Sequence, residues 1–266
     1  MDRTIRIVLI TVIAFATHYI FDDLYFSEVR NYVNTWVDQL GISHNLTYLL
    51  FGIPLFIGVL IMHRARYFLD ALGLKNSFKK GFLFPLICTL PMLIGYAVVF
   101  DFNSEITLNE ILISAIAAAF FEELYFRGFL FGQLYRFTQL GFIPSVITGA
   151  LLFGAVHLYQ SQELLTAAGI FLTTFLGAVL FAWVYAEWNN NIWIPIFLHL
   201  FMNLFWLLFS AGENALGGVY ANIFRILTIV LVILITVVYK RRNGIRLEVN
   251  KRTLWMKKDT VPYHTQ

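Results

Sequence analysis

The sequence is short of charge and nearly devoid of cysteine. Charged residues fill 13% of its 266 positions, about half the share of roughly 25% usual in a water-soluble domain. A chain so poor in charge is not an ordinary globular protein. Its one cysteine, Cys88, lies within an apolar run. That rules out an intrachain disulfide and any CxxC redox or zinc motif. No Pro/Gly linker, low-complexity segment or internal repeat divides the chain, so residues 1–266 read as a single integral-membrane domain.

What fills the chain instead is apolar. Hydrophobic residues make up 59% and aromatic residues 17%, and the mean hydropathy is +0.72. Apolar windows of about 20 residues recur, the length needed to cross a hydrocarbon core roughly 30 Å thick. Eight such spans are predicted: Ile5–Phe21, Leu46–Met62, Phe82–Phe100, Ile111–Phe131, Gly141–Tyr159, Leu164–Trp188, Ile192–Ser210 and Tyr220–Tyr239. The expected fold is all-α, a polytopic bundle of about eight transmembrane helices.

The connections alternate in charge. The odd ones hold Asp22, Asp23, Glu28, Asp38, Asp101, Glu105, Glu110, Glu163 and Glu213, with Arg30 their only Lys or Arg. The even ones and both termini hold Arg3, Arg64, Arg66, Lys75, Lys79, Lys80, Arg136 and the basic tail 240–266. The positive-inside rule then places both termini in the cytoplasm, the parity that eight spans require. The start has a signal-peptide cast, with Ala14-Phe15-Ala16 after an apolar core. The apolar run continues through Phe21, however, so the segment is read as an uncleaved span. Tyr25, Val29, Tyr32, Val33, Trp36, Val37 and Leu40 repeat at helical spacing, which predicts a separate amphipathic helix at the outer interface or on the outer ends of the bundle. The basic tail is expected to set topology and to attract anionic headgroups. No nucleic-acid partner is expected of a tail tied to a membrane.

An ionisable residue at mid-membrane costs roughly 2.5–3.5 kcal/mol on insertion scales, so those in the spans are functional candidates. Arg6, His18 and Arg225 read as structural or snorkelling groups, and Glu187 as a boundary residue facing water. Gly149, Gly154, Gly169 and Gly177 read as helix-packing sites. The stretch "EELYFRG" is different. Glu123 and Arg127 are four apart and can pair on one helical face, while Glu122 points about 100° away. Glu122 therefore has no sequence-local counter-charge, which suits a group that takes up and releases a proton. Phe153 and His157 are four apart in the fifth span, and His199 and Asn203 in the seventh. The latter pair suits either a metal or an oxyanion.

"EELYFRG", "FGAVH" and "HLFMN", in that order on three spans, resemble the EExxxR, FxxxH and HxxxN motifs of the CAAX-protease and bacteriocin-processing family (CPBP, also called Abi) of intramembrane proteases. The resemblance covers roughly Ile111 to Asn203. It implies an endopeptidase acting on a membrane-associated or prenylated protein of the CAAX type, or on a leader-bearing peptide. By position, Glu122 would activate water with His157 assisting, and His199 and Asn203 would stabilise the oxyanion. Glu123, Arg127 and Phe153 would support the site. Zinc is a possible cofactor, held by Glu122, His157 and His199, although no HExxH motif is present; activation of water without metal explains the same residues. Two other classes remain open: a proton- or cation-coupled transporter, and a non-catalytic immunity or regulatory protein on the same fold. The expected location is an integral, multi-pass position, in the plasma membrane if the source is prokaryotic. Counting residues leaves Glu122 towards the cytoplasmic half and His157 near the outer end. For the two to meet, the fourth helix must run past Arg136 or the fifth must begin after Gly141, and both should then share a cavity with His199 that opens to the cytoplasm.

Overall fold

The computed structural model describes residues 2–257, and among them the fold is entirely helical apart from one isolated bridge between Leu140 and Met256. Eight long helices stand where eight spans are expected: α1 (Arg3–Val37), α2 (Leu40–Met62), α3 (Phe78–Val99), α4 (residues 108–137), α5 (Phe142–Val156), α6 (Leu164–Glu187), α7 (Trp193–Leu208) and α8 (Val219–Arg242). Six of them are long and apolar enough to cross a membrane by length and composition, and the other two, α4 and α7, supply the remaining predicted spans. This is a polytopic membrane bundle. Ile13, Ile94 and Val98 are exposed on its outside, as lipid-facing side chains are.

Local chemistry sets the helix ends. Asp2, Ser77 and Glu163 accept hydrogen bonds from the first-turn amides of α1, α3 and α6, and Thr107 forms a capping box with Glu110 at the start of α4. Helix α2 breaks at Gly52, with Pro54 in the first turn of the second piece. Gly73 has φ +78°, and an added Cβ would lie 2.4 Å from the Asn190 carbonyl oxygen. Only glycine fits where this loop meets the α6–α7 turn.

Three sequence expectations change. No separate interfacial helix follows the first span: α1 runs unbroken to Val37, since nothing between Phe21 and Val37 breaks a helix, and Asp22 and Asp23 lie inside it. At about 1.5 Å per residue, its 35 residues span some 52 Å, well beyond the apolar slab. Second, the fourth helix continues past Phe131 as far as Phe137. Over Ile111–Phe131 its bonds run i→i+5, a wider winding than the α-helix.

Third, Glu187 does not face water. It is 3% exposed, and its carboxylate accepts from Lys240 Nζ at 2.5 Å, from the Glu248 amide at 3.0 Å and from the Val249 amide at 2.9 Å. The tail folds back to make these bonds. It then supplies carbonyls to the start of α5: Gly141, Phe142 and Ile143 donate their amides to Trp255, Thr253 and Leu254 at 2.7, 2.8 and 2.9 Å. These amides have no partner within their own helix, and no side chain caps α5. The tail is its cap. An added Cβ at Gly141 would meet the Trp255 carbonyl carbon at 2.5 Å, so a side chain there would push the tail away.

Helix α4 is central. Helix α7 packs against both α3 and α4, α1 against α2, α5 against α6, and α8 against α3. One apolar cluster joins α4 to α1 and α2, and another joins it to α5, α6 and α7.

Candidate active site

Arg127 is among the largest fully buried side chains of the protein. A lone guanidinium at that depth would cost several kcal/mol. Three neighbours offset the cost. Arg127 Nη1 lies 3.0 Å from Glu123 Oε1, as the four-residue spacing predicts. The guanidinium carbon stands 4.6 Å from the Phe153 ring centre and 5.4 Å from that of Phe181, in the range of cation–π attraction.

The same Glu123 oxygen meets His199 Nδ1 at 2.8 Å. A carboxylate paired with a guanidinium only accepts hydrogen bonds, so Nδ1 of His199 carries the proton. Residues from all three motifs thus converge on Arg127 and Glu123: His199 from α7, Phe153 from α5, and the pair itself from α4. The bond from Glu123 to His199 joins helices 76 residues apart in sequence, beyond the reach of spacing arguments.

His157 caps the C-terminus of α5, its Nδ1 2.7 Å from the Phe153 carbonyl oxygen. A carbonyl oxygen only accepts, so Nδ1 is the N–H and Nε2 is the basic nitrogen of the neutral ring. Asn203 donates from Nδ2 to the Ser114 carbonyl at 2.8 Å, which ties α7 to the outer part of α4. Its amide keeps a second N–H.

Glu122 is half-buried and makes no hydrogen bond among the described residues. It lies within electrostatic reach of Asp22 on α1 and Tyr48 on α2. Tyr159, two residues past His157, reaches the same Tyr48. The backbone carbonyl of Tyr48 accepts a hydrogen bond at 2.6 Å from the hydroxyl of Tyr125, on α4. Sequence reading does not find Asp22 and Tyr48: Asp22 passes for one more acid in an outer connection, and Tyr48 for one aromatic among many.

The extended α4 answers the question of depth. Glu122 lies fifteen residues before Phe137, the last residue of α4, and His157 lies fifteen after Phe142, the first of α5. The two helices meet at the intervening turn, so the two groups are the same number of residues from it. Contacts agree: Phe126 of α4 meets Phe153 of α5 edge to face, ring centres 5.2 Å apart. One helical turn farther out are Glu122 and Glu123 on α4, and His157 on α5.

The zinc alternative fares differently. Among the described residues no three His, Cys, Asp or Glu side chains converge to hold a metal ion. Glu122, His157 and His199 do not form a preassembled ligand set. The expectation that Glu122, His157 and His199 share a cavity opening to the cytoplasm is not met: none of them lines the open cavity at the basic end of the bundle or the small one beside Arg127.

Residues 104–205, which contain all three motifs, match the family model described as type II CAAX prenyl endopeptidase Rce1-like. A relative from Bacillus subtilis (strain 168), described as "Putative membrane peptidase YdiL", is 40% identical over 98 residues, or 36% of this chain and 34% of the relative. The match therefore spans about a third of that relative's length. No solved structure matches. Together these similarities bear out, over residues 104–205, the resemblance read from the motifs.

Proposed function

We propose that this protein is an intramembrane endopeptidase that cleaves a membrane-associated or lipidated polypeptide, of the prenylated CAAX type or a leader-bearing peptide. The observation that carries this reading is the meeting of three motif-bearing helices at Arg127, Glu123, His199 and Phe153. Glu122 is the neighbour of Glu123 on α4, and His157 lies four residues past Phe153 of α5.

In the proposed reaction Glu122 takes a proton from water, and the water oxygen bonds to the scissile carbonyl carbon. His157, whose Nδ1–H is held by the Phe153 carbonyl, uses the lone pair of Nε2 to orient that water. The resulting oxyanion is met by His199 and by the second N–H of Asn203. His199 donates from Nε2 when doubly protonated, and the Glu123 carboxylate at Nδ1 offsets the added charge. The carbon–nitrogen bond then breaks as Glu122 passes its proton to the leaving amine.

The test is cleavage of a farnesylated CAAX peptide and of a leader peptide by the purified full chain in lipid nanodiscs. Glu122→Gln keeps the size of the side chain and removes the base, so turnover should fall by at least about 100-fold. His157→Ala should fall by a comparable factor, and a strong chelator should leave the wild type unchanged. Wild-type turnover in Glu122→Gln would sink the mechanism.

A further inference from the structure

At the basic end of the bundle an open cavity of about 1460 Å³ is walled by the start of α3, the end of α4, the α6–α7 turn, the end of α8 and the folded tail. Seven of its lining side chains are Lys or Arg and two are Glu. Three of the seven have structural work. Lys240 is held by Glu187, and Arg136 donates to the Asp70 and Ala71 carbonyls. Lys257 donates to the Tyr135 carbonyl and lies over the Tyr135 ring; burial lowers its amine to about 8.

The other four, Lys80, Arg246, Lys251 and Arg252, are exposed and form no ion pair with any carboxylate among the described residues. One comes from the start of α3 and three from the tail. The tail is held in place by the Glu187 bonds and by its capping of α5, so the fold brings these cations together. Gathering like charge around a concavity raises the local potential for an anion.

The cavity also has an apolar side. The Trp188 ring stacks on the Tyr239 ring, centres 4.9 Å apart at 14°, and Ile245 and Met256 are exposed beside them. Trp and Tyr are favoured where a bilayer meets water. Cations on one side and aromatic and apolar surface on the other suit an amphiphile with a phosphate head.

We infer that this cavity binds the phosphate-bearing headgroup of an anionic membrane lipid, with Lys80, Arg246, Lys251 and Arg252 facing the phosphate. The site is separate from the motif residues and does not depend on the protease reading.

Binding is measured by native mass spectrometry of the full chain with dioctanoyl phosphatidylglycerol, dioctanoyl phosphatidylcholine and inorganic phosphate. Phosphatidylglycerol should bind at least about tenfold tighter than phosphatidylcholine, and the variant Lys80→Gln/Arg246→Gln/Lys251→Gln/Arg252→Gln should lose at least about tenfold of that affinity. Arg241→Gln/Arg242→Gln removes nearby exposed charge outside the cavity and should change binding less than about twofold. Should the fourfold variant not fold, Lys80→Gln/Lys251→Gln serves in its place, with an expected loss of at least about threefold. Equal losses in the lining and control variants, or unchanged binding in the lining variant, would overturn the site. Displacement of phosphatidylglycerol by equimolar inorganic phosphate would overturn the lipid assignment and name free phosphate as the source.

Discussion

Arg127 shows how a few side chains make a charged group tolerable at depth. Its charge is met by Glu123 and its flat faces by Phe153 and Phe181. Arg127→Ala should cost about 3–5 kcal/mol, because Glu123 is then buried without its cation. Arg127→Lys should recover only part of that loss, since an ammonium cannot lie flat between two rings. Thermal unfolding in detergent measures both, and equal stability of the two variants would contradict this account. The Glu123–Arg127 bond was legible from spacing alone, because four residues along a helix is a local relation. The His199 bond to Glu123 was not, and neither was the burial of Glu187. In both cases the partner arrives from a distant part of the chain through tertiary packing.

At the scale of elements, hydropathy marked all eight helices, because the solvent of a span is apolar and the signal is strong. Their ends were less legible. The residues that carry α4 on to Phe137 are mixed in polarity, and the continuation of α1 through Asp22 and Asp23 looks like a loop by charge. The tail was legible only as a charge run. Its role as the cap of α5 depends on backbone carbonyls, which leave no trace in composition. Gly141→Val should therefore displace the tail through the close approach of Trp255, and Glu187→Ala should loosen it by removing the acceptor of two tail amides. Trypsin should then cut between Arg246 and Lys257 at least about tenfold faster than in wild type, the change expected when about 1.4 kcal/mol of local stability is lost. Unchanged cleavage in both variants would show that other contacts hold the tail.

Across the whole molecule, Glu123, Arg127 and His199 gather on α4 and α7 inside the bundle, while cationic groups gather at one end. Nothing in residue order reveals that Lys80 and Lys251 share a cavity, since a back-folded tail brings them together. The motif residues, by contrast, could be ordered along three helices from the sequence, and the missing piece was their common height.

Part of that height is set by one datum. Glu122 and His157 are each fifteen residues from the α4–α5 turn, which the tail pins from below. The turn therefore works like the zero mark of a ruler. Adding one helical turn to α4 alone, between Phe131 and Phe137, would move Glu122 out of step with His157 by about 5.4 Å. Adding a turn to both helices would raise the two groups together, but it would also pull Glu123 away from His199 on α7. On the proposed mechanism the single insertion should abolish cleavage, and the paired insertion should not restore it, because α7 keeps the oxyanion donors at the old level; recovery in the paired variant would contradict the assignment of His199. The height of the site is thus set jointly by the α4–α5 turn and by the bond that ties α4 to α7.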